Sequence, residues 1–187
     1  MNKAVFLDRD GTINVEKKYL HKVEDFELIK DVPKAIKSFK KSGFLVVVVT
    51  NQAGIGRGLY KEEDVENIHE YLNLELNKFH TQIDAFYYCA HHPEHGVGKY
   101  KIVCDCRKPG IGMLKQASID LDVDLNKSYM IGDNLKDIKA GNLAGCKTIL
   151  VETGYGANEK NKINKENTPG IIAENLYEAS LIIEQNQ

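Results

Sequence analysis

The chain has 187 residues, 42% of them hydrophobic and 28% charged, with a formal net charge of −2. That is enough chain for one folded unit with a sizeable core, and too little positive charge for a protein that binds nucleic acid non-specifically. Nowhere is there an apolar stretch near the roughly 20 residues a membrane span needs, nor a charged-then-apolar leader. A cytoplasmic protein with no nucleic-acid or membrane partner is therefore expected.

The first apolar run, Ala4 to Leu7, is bounded by Gly11-Thr12 and predicts a buried strand that delivers Asp8 and Asp10 to a sheet edge. From Ile13 to Glu27 the sequence is polar and mixed, which reads as an irregular loop. Asp31 is expected to cap a helix beginning at Val32-Pro33, with Ala35, Ile36 and Phe39 on one face and Gly43 ending it. Phe44 to Val49 is apolar at every position and rich in β-branched residues, the mark of a strand covered on both faces in a parallel sheet. The polar segment Thr50 to Gly58 follows as a loop.

Val65, Ile68, Leu72, Leu76 and Phe79 recur at helical spacing and predict a helix with a core-facing stripe. Ile83 to Tyr88 reads as a third strand, Gly110 to Leu121 as a helix, and Ser128 to Ile131 as a short strand that ends at Gly132-Asp133. A helix from about Asn134 to Leu143 and a strand Thr148 to Val151 complete another unit. Gly154 to Gly170 is polar and rich in Lys and Asn, so a surface loop is expected there. Ile171-Ile172 and Glu174 to Glu184 supply a last strand and a closing helix. Strand and helix alternate with short connections, which predicts a doubly wound α/β fold with a mostly parallel sheet, residues 1–187 forming one domain. Nothing in the sequence demands a dimer, and a monomer is expected.

In such a sheet, ligands bind beyond the carboxyl ends of the strands. Four predicted strand ends carry polar groups: Asp8 with Asp10, Thr50 with Asn51, Lys108, and Asp133. Asp-x-Asp-Gly alone is also an ordinary polar turn. Together, however, the four suit phosphoryl transfer. Asp8 can attack as a nucleophile while Asp10 gives and takes the proton. Thr50 and Lys108 can donate to the equatorial oxygens of the phosphoryl group. Asp8 and Asp133, with a backbone oxygen nearby, make a hard oxygen site suited to Mg²⁺. Asp137 reads either as a support for Lys108 and the metal or as a helix-surface acid.

Cys89, Cys104 and Cys106 lie close in sequence, with His91, His92 and His95 beside them. In a reducing compartment such a cluster reads as a tetrahedral zinc site before it reads as disulfides, although free thiols are the simpler alternative. The spacing does not choose among the three histidines. Cys146 reads as a buried, inert thiol. His21, His69 and His80 have no partner spacing and are expected at the surface.

The order Asp8-Arg9-Asp10-Gly11-Thr12, then Val46 to Asn51, then Lys108, then Gly132-Asp133 with Asp137 resembles the four motifs of the haloacid dehalogenase-like phosphatases. Asp8 to Asn14, Thr50 to Gln52 with Gly56 to Gly58, Tyr87 to Pro93 and Cys104 to Pro109 narrow the resemblance to the branch that contains the heptose-bisphosphate and histidinol-phosphate phosphatases.

The resemblance implies a cap-less phosphatase that works through an aspartyl-phosphate on a small sugar phosphate, in the making of surface-glycan precursors. It implies Asp8, Asp10, Thr50 and Lys108 as catalytic residues, and Mg²⁺ held at Asp8, Asp10 and Asp133. It implies Glu16, Lys17, Lys18, Tyr19, Thr50, Asn51, Gln52, Ala53, Arg107, Lys108 and Asn134 as substrate contacts, with a structural Zn²⁺ on Cys89, His91, Cys104 and Cys106 in a loop of about 89–106. Asn134 stands where the resemblance leads one to expect lysine. Arg107 is the expected partner of a distal phosphate, Arg57 a second candidate that reads rather as a solvated loop residue. A histidinol-phosphate phosphatase, a phosphotransferase and a zinc-stabilised nucleic-acid module are the competing functions.

Overall fold

The computed structural model describes residues 1–186. In chain order its strands are β1 (Lys3–Leu7), β2 (Phe44–Asn51), β3 (Ala85–Cys89), β4 (Tyr129–Gly132), β5 (Lys147–Val151) and β6 (Ile171–Ala173). Its helices are α1 (Val32–Lys41), α2 (Ala53–Gly56), α3 (Glu62–Asn77), α4 (Gly112–Asp120), α5 (Leu135–Ala144), α6 (Gly156–Glu159) and α7 (Leu176–Gln185). The strands form one sheet in the order β3-β2-β1-β4-β5-β6, and every neighbouring pair is parallel.

The period-2 geometry of a strand explains why the apolar runs of β1 and β2 show no alternation. Val5 and Leu7 of β1, with Val46 and Val48 of β2, face a core completed by Ile36 and Phe39 of α1, Leu72 and Leu76 of α3 and Ile183 of α7. Ala4 and Phe6, with Val47 and Val49, face the opposite core against Met113, Leu114 and Ala117 of α4. Both faces are covered, so Ala4 to Leu7 are all buried, as are Phe44 to Val49 apart from the half-buried Leu45.

Four local expectations are corrected. Asp31 does not cap α1 with its side chain: its backbone is left-handed, at φ 63°, and its carboxylate instead meets Lys34 at 2.7 Å. Phe79 lies beyond the end of α3 and is half exposed, so the apolar stripe ends at Leu76. The polar segment after β2 is not wholly loop, since Ala53–Gly56 forms a helical turn. The segment 154–170 likewise holds α6 and a 3₁₀ turn, Lys160–Lys162. The longest connections, from β1 to α1 and from β3 to α4, carry no regular structure beyond the 3₁₀ turns Val23–Asp25 and Gly98–Tyr100. Among the described residues no helix is long and apolar enough to cross a membrane.

Candidate active site

The strand order decides where a site can form. From β1 the chain steps outward through β2 to β3, then returns to the other side of β1 as β4. The loops after β1 and β4 therefore diverge and leave a crevice at the carboxyl edge, the switch point where open α/β sheets bind ligands. Leu7 pairs in register with both Val48 and Ile131, so Asp8, Thr50 and Asp133 emerge at nearly one level. A cavity of about 400 Å³ opens there, lined by Asp8, Asp10, Thr50, Lys108, Asp133 and Asp137. Glu16, Lys18, Tyr19, Asn51, Gln52, Ala53, Tyr60, Arg107, Asn134, Lys136 and Tyr155 complete its wall.

Lys108 is buried among the carboxylates. Its ammonium donates to Asp8 Oδ1 at 2.9 Å and meets Asp137 Oδ1 at 2.6 Å. Burial alone would lower its pKa, but Asp137 and Asp8 overturn that and hold it above the ordinary lysine value. Asn51 fixes the backbone here: its side chain donates to the Lys108 carbonyl and accepts from the Lys108 N–H, both at 3.0 Å. Asp137, which the sequence left between two roles, is buried on α5 with a second contact from the Asn134 N–H at 3.1 Å.

Asp133 is buried and accepts from the Tyr155 N–H at 2.8 Å. Gly11, at φ 84°, lets the β1 loop pass this carboxylate, because a Cβ at that position would collide with Asp133 Oδ2. Asp8, Asp133 and Asp137 each offer an oxygen within 4.8 Å of the others. Three carboxylates against one ammonium leave two negative charges in a buried place. Burial, then the charges of Asp8 and Asp137, push Asp133 up to about 8, and burial pushes Asp137 up to about 6 against the pull of Lys108. A set of hard oxygens with surplus negative charge fits a divalent cation such as Mg²⁺.

The Asp10 carboxylate is not in that set. Oδ1 accepts from Arg9 Nη2 at 3.1 Å and Asn14 Nδ2 at 3.0 Å, and Oδ2 from Arg9 Nη2 at 2.9 Å and Gln52 Nε2 at 3.0 Å. The expectation that Asp10 holds metal thus rests on its backbone oxygen, since its carboxylate is not among the grouped oxygens of Asp8, Asp133 and Asp137. Burial pushes the Asp10 carboxyl upward, but the Arg9 charge and the bonds from Asn14 and Gln52 outweigh it and hold the group below the usual carboxylate value. Gln52 also donates to Thr50 Oγ1 at 2.9 Å and accepts from the Tyr60 hydroxyl at 2.7 Å.

All of the expected substrate contacts but one line the cavity. Lys17 does not; its ammonium meets Glu27 at 3.0 Å. Asn134 spends its carboxamide oxygen on the Lys136 N–H at 3.1 Å as the cap of α5. Arg57 lies over the Tyr19 ring, 5.9 Å from its centroid, and is absent from the lining. Reading the sequence missed Arg9, His69, Tyr60, Lys136 and Tyr155. His69, expected at the surface, is buried and stacked on Phe86 with centroids 4.4 Å apart. Its position was legible: Val65, His69, Leu72 and Leu76 share one helical face. Arg9 sits between the two aspartates with no periodic signal of its burial.

Beside the cavity, Cys89, His91, Cys104 and Cys106 also bring ligand atoms within 4.8 Å of one another. The sulfur of Cys106 lies 3.0 Å from that of Cys89, 2.9 Å from that of Cys104 and 3.5 Å from His91 Nδ1. All four cysteines are free thiols. His92 and His95 pack on each other instead, with ring centroids 4.7 Å apart. Three sulfurs and one imidazole converging on a point fit tetrahedral Zn²⁺ with no open position. Arg107 follows directly and donates to the His91 carbonyl at 3.3 Å. Cys146 is buried, and burial pushes its thiol up to about 12.

The model of the HAD-hydrolase-like family matches residues 105–179. A D-glycero-β-D-manno-heptose-1,7-bisphosphate 7-phosphatase of Haemophilus ducreyi is 47% identical over 81% of this chain and 84% of its own length. The protein of the same name from Escherichia coli K12 is 47% identical over 81% of this chain and 80% of its own. Among solved structures, the D,D-heptose 1,7-bisphosphate phosphatase of B. bronchiseptica, complexed with magnesium and phosphate, superposes with a TM-score of 0.87 at 30% identity. That alignment covers 99% of both chains.

Proposed function

Since the chain belongs to the haloacid dehalogenase-like phosphatases, in the group of the D-glycero-β-D-manno-heptose-1,7-bisphosphate 7-phosphatases, we propose that it removes the 7-phosphate of that sugar bisphosphate. The observation that carries this reading is a single cavity in which a carboxylate at the end of β1 lies 2.9 Å from a buried ammonium, beside a further pair of buried carboxylates.

In the proposed reaction Asp8 attacks phosphorus, the bond to the C7 oxygen breaks, and Asp10 delivers a proton to that leaving oxygen. The approach of a phosphate dianion opposes the ionised state in which Asp10 is held and lets it carry that proton. Asp10 then takes a proton from water, which attacks the phosphorus of the aspartyl-phosphate, frees inorganic phosphate and restores Asp8. Thr50 and Lys108 donate to the equatorial oxygens throughout. Asp137 keeps Lys108 charged and aimed. Asp8 and Asp133, with the Asp10 backbone oxygen, are the residues that would hold Mg²⁺, which when bound neutralises charge on the phosphoryl group.

Cys89, His91, Cys104 and Cys106 would hold a structural Zn²⁺ that ties the loop behind Arg107 and Lys108. Arg107 is the planar cation best suited to a distal phosphate, and Lys136 lines the same wall next to the neutral Asn134. On this reading the protein works as a cytoplasmic monomer on a small sugar phosphate, with no part for nucleic acid or a membrane.

The test is phosphate release with Mg²⁺ from the β and α anomers of heptose 1,7-bisphosphate and from histidinol phosphate. The reading predicts that the β anomer is preferred and loses only its 7-phosphate. Preference for histidinol phosphate would keep the mechanism and overturn the substrate. Release from none of the three would overturn both.

A further inference from the structure

Arg9 is completely buried and charged, and among the described residues the one carboxylate it reaches is that of Asp10. Taking a guanidinium out of water is costly unless the partner geometry is good. Here one nitrogen, Nη2, bridges both Asp10 oxygens at 3.1 and 2.9 Å, so the carboxylate cannot rotate without breaking a charged contact. The other, Nη1, lies 3.5 Å from Nε2 of His69. That imidazole comes from α3, is buried, and is clamped by stacking on Phe86 of β3 with 15° between the ring planes. The Arg9 carbonyl accepts from the N–H groups of Thr12, Ile13 and Asn14, so the same residue also turns the loop that supplies Asn14 to Asp10.

We propose that Arg9, backed by His69, is a positioning residue that fixes the orientation of the Asp10 carboxylate toward the leaving oxygen. The inference rests on the reading of Asp10 as the acid and base of the reaction and extends it to two residues that touch no substrate. Neither lines the cavity. A chain of contacts thus runs from α3 and β3, through His69 and Arg9, to the one group that must meet the departing oxygen.

A positioned acid matters most when the leaving group is poor. An alkoxide departs only with a proton, whereas a nitrophenolate departs without one. The experiment compares kcat/KM for a sugar phosphate and for p-nitrophenyl phosphate, with Mg²⁺, in the wild type, Asp10→Asn, Arg9→Lys and His69→Phe. Since general acid catalysis contributes about 10²–10⁴-fold, Arg9→Lys is expected to lose at least about tenfold more on the sugar phosphate than on the aryl ester. Lysine keeps the charge but cannot bridge both oxygens from that depth. His69→Phe keeps the stack on Phe86 and removes only the nitrogen facing Arg9; a smaller loss with the same substrate dependence is expected.

Equal losses on both substrates in Arg9→Lys and His69→Phe, while Asp10→Asn still discriminates between them, would overturn the proposal and leave Arg9 a structural residue. Failure of Asp10→Asn itself to discriminate would overturn the assignment of Asp10 on which the proposal stands. If Arg9→Lys does not fold, His69→Phe decides between the same outcomes.

Discussion

Buried charge sets the behaviour of single residues here. Lys108 is held by Asp8 and Asp137 in a place with almost no solvent. Removing one partner of a buried pair leaves the other charge uncompensated, at about 3–5 kcal/mol. Asp137→Ala leaves Lys108 its other partner, Asp8, at 2.9 Å, so it should lower stability by less than that in denaturant unfolding while slowing turnover, whereas an exposed acid such as Glu174 should show neither loss.

His69 supplies a second test. Desolvation, then the Arg9 charge, lowers its pKa from the ordinary 6.5 to about 3. Below pH 6.5 the unfolded chain takes up a proton that the folded chain refuses, so this contribution to stability is full above about pH 6.5. It is lost as the pH falls toward 3, at no more than about 1.4 kcal/mol per pH unit. His69→Phe should flatten the acid side of a stability-against-pH curve by that amount. An unchanged slope would contradict the buried, neutral state. Of the two buried partners, Arg9 was the harder to read from sequence. Asp8, Asp10 and Asp133 stand at strand ends, where chemistry and position coincide. Arg9 sits beside them but points into the protein, and nothing in its neighbours' periodicity marks that inward turn.

At the level of the element, the all-apolar runs of β1 and β2 were legible because a strand covered on both faces has no polar side to show. Boundaries were less so. Asp31 has the residue type of a helix cap but takes a left-handed backbone and an ion pair with Lys34. Phe79 keeps helical spacing past the point where the backbone leaves α3. The helical turn at Ala53–Gly56 carries no propensity signal; it is fixed by tertiary packing, since Gly54 leaves room only for the ring of Tyr60. The convergence of the cysteines was legible from their spacing, yet the choice of His91 over His92 and His95 comes from resemblance and not from spacing.

The loop it closes is braced on α3 as well, where Glu62 accepts from the hydroxyls of Tyr100 at 2.5 Å and Tyr88 at 3.2 Å. Cys104→Ser should cost the stabilisation of a loop closure of this length, about 3 kcal/mol, which is a fall in Tm of about 6–12 °C in a chain of this size. It should also raise KM through Arg107 while Asp8 remains able to react. An unaltered Tm and KM after zinc removal would show that the cluster holds nothing in place.

For the molecule as a whole, the sheet order β3-β2-β1-β4-β5-β6 is what turns separate motifs into one site. The sequence indicated strands and helices in alternation, and parallel pairing followed from that. The reversal of direction at β1, which opens the crevice between Asp8 and Asp133, cannot be read from any local stretch. It follows from which strand β4 chooses as neighbour, a long-range pairing. The loops that wall the cavity were only partly anticipated: Glu16, Lys18 and Tyr19 reach it, whereas Lys17 turns away to Glu27.

In the proposed reaction Asp8 carries the phosphoryl group between substrate and water. The most direct measurement is an acid-quenched time course with heptose bisphosphate radiolabelled at its 7-phosphate, followed by peptide mapping. Transient label is expected on the peptide that contains Asp8, chased off by unlabelled substrate and absent from Asp8→Asn, whose turnover should fall by about 10⁴-fold or more. Undiminished turnover in Asp8→Asn, or label on any other residue, would contradict this role of Asp8.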